Sequence, residues 1–359
     1  MKRISLFLLL FLLLKATVMY SQDGHPETNF RIVPVSPNAA SLGTFGMIPT
    51  DNYVGQANLT IPIYEIDLDG KKFPIALSYH TDGTRVAQEA TWIGLGWTLQ
   101  AGGCVVRQVQ GTDDFAARGC YNLTDAPWLT NPRFEVTDQN LEKYMGYFKG
   151  DYDAEPDMFY FNAGGHSGSM YFDVLKNNRQ LNAVPTIQTQ EKVVKMVYNT
   201  SNKTWTMTDL EGYVYSFSTK EITYYFLNTI DFFQTDITRS HIFPYYNEPQ
   251  IVTAWMLDSV TSPNGGKITF SYKKESIFTP ISTTEDVISL SKIVNGQLSS
   301  QSPQYFTNKF NYNYSYSKIE QWTLSAITFE GGKVEFGTTD REDIESAETG
   351  KKVQKLSSI

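Results

Sequence analysis

The sequence predicts a mainly β protein built from antiparallel hairpins, and three observations support this fold class. Apolar and polar residues alternate with a period of two through much of the chain after residue 51. Turns that contain glycine separate pairs of these alternating segments, as they do in β-hairpins. Helical periodicity is sparse. We therefore expect an array of hairpins that forms a curved or partly closed sheet, with at most one or two short helices.

Four segments repeat the order strand, glycine turn, strand. Their turns are Asp69-Gly70, Glu211-Gly212, residues 263–266 and residues 330–332. The spacing between them is irregular, so they predict a loose array of hairpins instead of a solenoid with a fixed period. Because each hairpin has one apolar face and is marginal alone, the hairpins must pack side by side.

One short helix is predicted after Asp138, which could cap it. Its apolar positions follow helical spacing and Gly150 would end it; they are Leu141, Tyr144, Met145 and Phe148.

The N-terminal segment has the pattern of a secretory signal peptide. Lys2 and Arg3 precede an apolar run of about 11 residues, which is shorter than the roughly 20 residues of a membrane span. We expect residues 1–22 to be the signal peptide, with a membrane anchor as the alternative. Residues 23–50 would be an extended leader, and residues 51–359 a β region with possible sub-boundaries near 175 and 275. The predicted route is Sec-type export to the periplasm, cell surface or medium.

Composition excludes several classes of protein. The chain has 30 Lys and Arg against 38 Asp and Glu, a net charge of −8, which disfavours nucleic-acid binding. Aromatic residues make up 14% of the chain and charged residues 19%, which disfavours disorder. No second hydrophobic stretch of spanning length occurs, so no transmembrane span is expected in the mature chain.

Alternating carboxylates between residues 151 and 157 are the best candidate for a cation such as calcium; they are Asp151, Asp153, Glu155 and Asp157. An EF-hand loop would need glycine where Pro156 stands and glutamate where Asn162 stands. We favour a solvated or structural loop.

The segment Gly165-His166-Ser167-Gly168 is similar to a nucleophile elbow, but Ser169 stands where that motif needs glycine, and strand-like sequence flanks it. A β-turn is the favoured interpretation. The four histidines are dispersed, at His25, His80, His166 and His241. We assign no catalytic, cofactor-binding or metal-binding residue from the sequence, and we expect no enzyme activity.

Cys104 and Cys120 are the two cysteines, and they could form a disulfide after export or remain small buried thiols. Trp97, in Gly94-Leu95-Gly96-Trp97, is expected to cover a gap where strands approach closely. If it is buried, its replacement by alanine should cost about 3–5 kcal/mol.

Aromatic residues alternate with asparagine near residue 312, and exposed rings there could stack on sugars. The rings concerned are Tyr312, Tyr314 and Tyr316. An ordinary half-buried strand is the favoured interpretation, and glycan binding is the alternative.

An ordered set of motifs connects residues 78–107. A strand ends in Ser78-Tyr79, and Gly83, residues 94–97, Gly102-Gly103 and Arg107 follow. Residues 155–173 and 262–272 supply further motifs in the same order. Together they resemble the N-terminal region of large secreted RHS/YD-repeat proteins, particularly those of Bacteroidetes. More distantly, they are similar to the start of the Tc toxin B component and of SpvB-type proteins.

The resemblance implies a hollow β-shell, built from hairpins, that encloses a C-terminal toxin. It also implies partners, namely downstream RHS/YD-repeat wall segments or an encapsulated toxin, if the chain is part of a longer protein. The self-cleaving core segment and a toxin are absent from this sequence. The expectation is therefore a non-catalytic wall segment, with truncation as one reading of the missing toxin. A surface binding module or adhesin for a cell-surface glycan is the alternative.

Overall fold

A computed structural model describes much of the chain outside its N-terminal segment. The described residues are 35–39, 42, 58–80, 88–111, 113–116, 119–122, 141, 145, 153, 155–173, 182–188, 194–231, 250–279, 282–288, 293–294, 297–298 and 309–359. The predicted signal peptide lies outside them, and the domain boundaries stay predictions. Within these ranges, no helix combines the length and the hydrophobicity that a membrane crossing requires.

The described residues form twenty β-strands. They are β1 (Asn58–Leu68), β2 (Lys71–His80), β3 (Trp97–Gln100), β4 (Gly103–Gln108), β5 (Met158–Ala163), β6 (His166–Tyr171), β7 (Asn182–Ala183), β8 (Thr186–Ile187), β9 (Val194–Asn199), β10 (Thr204–Asp209), β11 (Val214–Asp231), β12 (Gln250–Thr261), β13 (Lys267–Phe278), β14 (Ser282–Ile288), β15 (Ile293–Val294), β16 (Gln297–Leu298), β17 (Lys309–Phe329), β18 (Gly332–Glu335), β19 (Gly337–Asp340) and β20 (Gln354–Ser358).

One large antiparallel sheet dominates the fold. Its 13 strands include the path β7-β9-β10-β11-β17-β13-β12-β4-β5-β6-β8, with β14 and β18 on β17. Strands β1, β2 and β3 form a three-stranded sheet, and β15–β16 and β19–β20 form two small ones. Because β11 also pairs with β12, strands β11, β12, β13 and β17 form a closed circuit of hydrogen-bonded neighbours. The predicted antiparallel β class is confirmed.

The circuit closes because β11 and β17 are long enough to change partners along their length. β11 has 18 residues; its first part pairs with β12 and its second part with β17. The β11–β12 register shifts near Ser216 and again near Glu221. Such bulges bend a strand and increase its twist, which lets one strand serve two partners.

The two faces of the large sheet are covered differently. Trp255 of β12 faces the main core, where it meets Trp205 edge-on with ring centroids 6.1 Å apart. Its neighbours Ala254 and Met256 face the other way and pack with Ala39 from residues 35–39. This period-two alternation places the fully buried Trp205 and Trp255 in the main core and gives the opposite face a smaller apolar cluster.

All four predicted hairpins are present. The turns at Asp69-Gly70, Glu211-Gly212, 263–266 and 330–332 connect β1–β2, β10–β11, β12–β13 and β17–β18. In the described residues, helical conformation occurs at 37–39 and 42, at Leu141 and Met145, and in a 3-10 turn over Cys120–Asn122. Leu141 and Met145 belong to the predicted helix, and both are exposed.

The Gly94–Trp97 segment is a turn before β3. Gly96 has φ +75°, a conformation that favours glycine, and the Trp97 N–H donates to the Gly94 carbonyl at 3.3 Å. Trp97 is only half-buried and packs on Tyr79, so the condition for a large cost of its removal is not met. The buried tryptophan of this region is Trp92, with 7% exposure.

Candidate functional sites

Arg107 on β4 is fully buried and holds two carboxylates. Its Nε donates to Asp157 Oδ2 at 2.9 Å, and its Nη2 contacts both Asp157 and Asp113. Backbone N–H groups of Gln110 and Asp114 also donate to Asp157, at 2.7 and 3.1 Å. These contacts fix the loop after β4 against the start of β5, because every donor points at one carboxylate.

Asp114 completes this cluster from the same loop. Its Oδ2 accepts the Asp157 N–H at 2.9 Å, while its buried Oδ1 has no hydrogen-bond partner among the described residues. Burial, and then the charge of Asp157, raises the pKa of Asp114 to about 8. Burial also raises the pKa of Asp157, although Arg107 opposes it. These effects favour the protonated form of Asp114, which limits the number of buried negative charges.

The acidic series considered as a candidate cation site is divided by this arrangement. Asp157 is the counter-ion of Arg107, Asp153 is buried beside Gly111, and Glu155 is exposed. Asp151 lies outside the described residues. Among the residues that the structure describes, no group of three His, Cys, Asp or Glu side chains is suited to a metal ion.

A second polar cluster lies where hairpin turns meet. Lys71, which begins β2, contacts Asp209 at 2.5 Å and Glu211 at 2.9 Å. Tyr215 donates its hydroxyl to Asp209 Oδ2 at 3.1 Å, and Asp209 Oδ1 accepts the N–H groups of Glu211 and Tyr213 at 3.0 and 2.9 Å. The cluster ties the three-stranded sheet to the large sheet.

A third cluster surrounds Glu221 in the middle of β11. Ser36 donates its N–H at 2.7 Å and also its hydroxyl, and Thr253 donates its hydroxyl at 3.1 Å. Burial raises the pKa of Glu221 to about 6, against these hydrogen bonds. The Asn38 Oδ1 accepts a hydrogen bond from the backbone N–H of Trp92 at 2.8 Å. Residues 35–39 of the predicted leader are thus fastened across the sheet by polar contacts.

The other sequence candidates are structural where they are described. Gly164-Gly165 forms the turn between β5 and β6, so strand lies on both sides and exposed Ser167 is not on an elbow. The Cys104 and Cys120 thiols are both buried and free. The structure therefore has two small buried thiols and no disulfide between them.

The remaining histidine and tyrosine candidates are covered only in part. His166 Nε2 is 3.7 Å from Asp209 Oδ2. His25 and His241 lie outside the described residues, as does the side chain of His80. Of the three tyrosines considered for sugar stacking, Tyr316 is buried, and the side chains of Tyr312 and Tyr314 lie outside the description.

Sequence reasoning missed an apolar row along β1. Leu59, Ile61, Ile63 and Tyr64 are 52%, 43%, 39% and 50% exposed. In the described part of the chain, β1 pairs only with β2, so this row lies on an edge strand. Pro62 lacks an N–H, and the register shifts between Pro62 and Tyr64, two features that hinder pairing with a further strand.

Comparison with known proteins identifies no family. No family model and no curated protein matches the chain. The crystal structure of TcdB2-TccC3-Cdc42 matches with a TM-score of 0.30 and 12% identity, over 83% of this chain and 12% of that chain. A likeness of this size establishes neither a family nor a function.

Proposed function

We propose that the chain is a non-catalytic structural segment of the wall of an exported RHS/YD-repeat shell. The exposed apolar row on β1 is the observation that carries the proposal. Residues 58–64 bear no charge, and the row lies on an edge strand of the three-stranded antiparallel sheet. A neighbouring wall segment would cover this row.

The energetics favour cover by side-chain packing. Each of the four side chains is about half exposed to solvent. Covering the row would therefore contribute about 4 kcal/mol in total to association with the neighbour. The proline and the bulge disfavour simple addition of a strand, which would use the backbone groups of the edge. The expected neighbour therefore presents an apolar hairpin face to β1.

The buried polar groups agree with a structural role. Arg107, Lys71 and Glu221 each use their hydrogen-bonding atoms on partners from other loops or strands of this chain. Each cluster fastens one part of the chain to another. Trp205 and Trp255 belong to the main hydrophobic core. The proposal therefore assigns these groups to assembly of the wall.

The first test is the size of the native gene product, detected with an antibody to residues 51–110. A band far above 40.7 kDa supports a wall segment of a longer shell. A band near 40.7 kDa overturns the proposal and favours a separate binding module, which a glycan array would then examine.

A second test addresses the row itself. The long product carrying Ile61→Lys and Ile63→Lys should become more sensitive to limited proteolysis near β1. The matched control is Leu210→Lys, because Leu210 is a single apolar residue on a turn and is 79% exposed. If the two variants were equally sensitive to proteolysis, a neighbouring segment would not be covering β1.

A further inference from the structure

The contact between Lys71 and Asp209 has the components of an amide-forming site. Lys71 Nζ is 2.5 Å from Asp209 Oδ2, and one C–O bond of about 1.23 Å places the carboxyl carbon at most about 3.7 Å away. A reacting pair in a near-attack arrangement is separated by about 3–3.5 Å. The side chains are 15% and 1% exposed, so little water competes for the site.

We propose that Lys71 and Asp209 join spontaneously in an intramolecular isopeptide bond that covalently links the β1–β2 hairpin to the end of β10. The lysine Nζ attacks the aspartate Cγ, a C–N bond forms, and one C–O bond breaks. One carboxyl oxygen leaves as water, which takes up the protons released from the nitrogen and the acid. No oxidant, reductant or co-reactant is needed. The inference does not depend on the proposed wall function.

The surrounding groups fit the separate steps of this reaction. Glu211, 2.9 Å from Lys71 Nζ, can accept a proton from the nitrogen as it attacks. The N–H groups of Glu211 and Tyr213 donate to Asp209 Oδ1, where negative charge develops in the tetrahedral intermediate. The Tyr215 hydroxyl donates to Oδ2, the oxygen that departs, and His166 lies 3.7 Å from the same atom.

The ground state before reaction is an ion pair. Burial lowers the pKa of Lys71, but hydrogen bonds to Asp209 and Glu211 outweigh it and hold that pKa above its ordinary value. Burial raises the pKa of Asp209, but Lys71 and the Tyr213 N–H outweigh it and hold that pKa low. Proton transfer from Lys71 to Asp209 must therefore precede attack. This makes the reaction slow, which a single irreversible maturation step tolerates.

The test is the mass of the folded protein and of its tryptic peptides after prolonged incubation. The linked protein is lighter than the unlinked chain by one water. Trypsin cannot cleave after an acylated Lys71, and peptide 204–220, which lies between the cleavage sites at Lys203 and Lys220, should be found joined to the peptide that contains Lys71. Asp69-Gly70 can also lose water by forming a succinimide, so the joined peptide is the decisive signal.

Two variants complete the experiment. Lys71→Arg keeps a positive charge beside Asp209, but its guanidinium is not a nucleophile, so its peptide 204–220 should remain linear. Glu211→Gln should lower the linked fraction about 10-fold or more in samples of equal age. The inference is overturned if the parent yields only a linear peptide 204–220, or if Lys71→Arg yields the joined peptide to the same extent.

Discussion

Replacement of Arg107 by methionine should destabilise the protein strongly. Methionine keeps a long apolar stem between the rings of Phe115 and Phe159, which lie 5.2 and 5.6 Å from the guanidinium carbon. The change leaves Asp157 and Asp113 without their shared cation. Removing one partner of a buried ion pair costs about 3–5 kcal/mol, because the remaining charge is uncompensated. We expect a loss of this size in the free energy of unfolding.

The assay is denaturant unfolding of four proteins in a double-mutant cycle. Adding Asp157→Asn to Arg107→Met should recover about 1–3 kcal/mol, since the second change removes the stranded charge. The matched control is Lys72→Met, because exposed Lys72 also contacts two carboxylates, those of Glu65 and Asp67. The control should unfold like the parent. A single Arg107→Met variant that matches the control, with no coupling to Asp157, would refute the reasoning.

Three other predictions concern stability. The pKa of Glu221 is about 6 when folded and 4.5 as the ordinary value, so its stabilising contribution is present below pH 4.5 and is lost as pH rises through 6. Between pH 4 and pH 7 the free energy of unfolding should fall by about 2 kcal/mol because of this group. Glu221→Gln should remove this part of the pH dependence. Trp92→Ala should cost about 3–5 kcal/mol and half-buried Trp97→Ala clearly less; equal melting shifts would contradict the burial difference. Gly164→Ala should cost about 1–3 kcal/mol more than Gly165→Ala, since both have positive φ but only Gly164 lies against a buried tyrosine ring; equal unfolding midpoints would contradict this.

The hairpins could be predicted because their signals are local. Asp69-Gly70 lies between two alternating segments, and both residues adopt the positive φ that this turn needs. The closed circuit could not be predicted, because it depends on pairs such as Ile222 with Glu320 and Tyr215 with Val260. Period-two alternation specifies which face of a strand is apolar, but it does not specify which strand lies beside it.

The polar sites show the same limit. The spacing of Asp153, Glu155 and Asp157 suggests a shared ligand, whereas the fold turns Asp157 toward Arg107, 50 positions earlier. Glu221 occupies an ordinary polar position of an alternating strand, and its partner Ser36 is 185 positions away. A signal was available for Arg107 alone, since a basic residue follows the apolar run of β4 and would need a counter-ion if buried.

The position of these polar contacts suggests how similar hairpins find their own neighbours. The β1–β2 turn meets two other turns through different groups. Lys71 contacts Asp209 at the β10–β11 turn, and Asp69 accepts a hydrogen bond from Ser262 at the β12–β13 turn. Apolar hairpin faces resemble one another and distinguish poorly between partners, whereas a misplaced turn would leave the buried Asp209 and Ser262 without these partners. Because a buried ion pair adds little net stability over an apolar contact, its main effect here is to select the register of the turns.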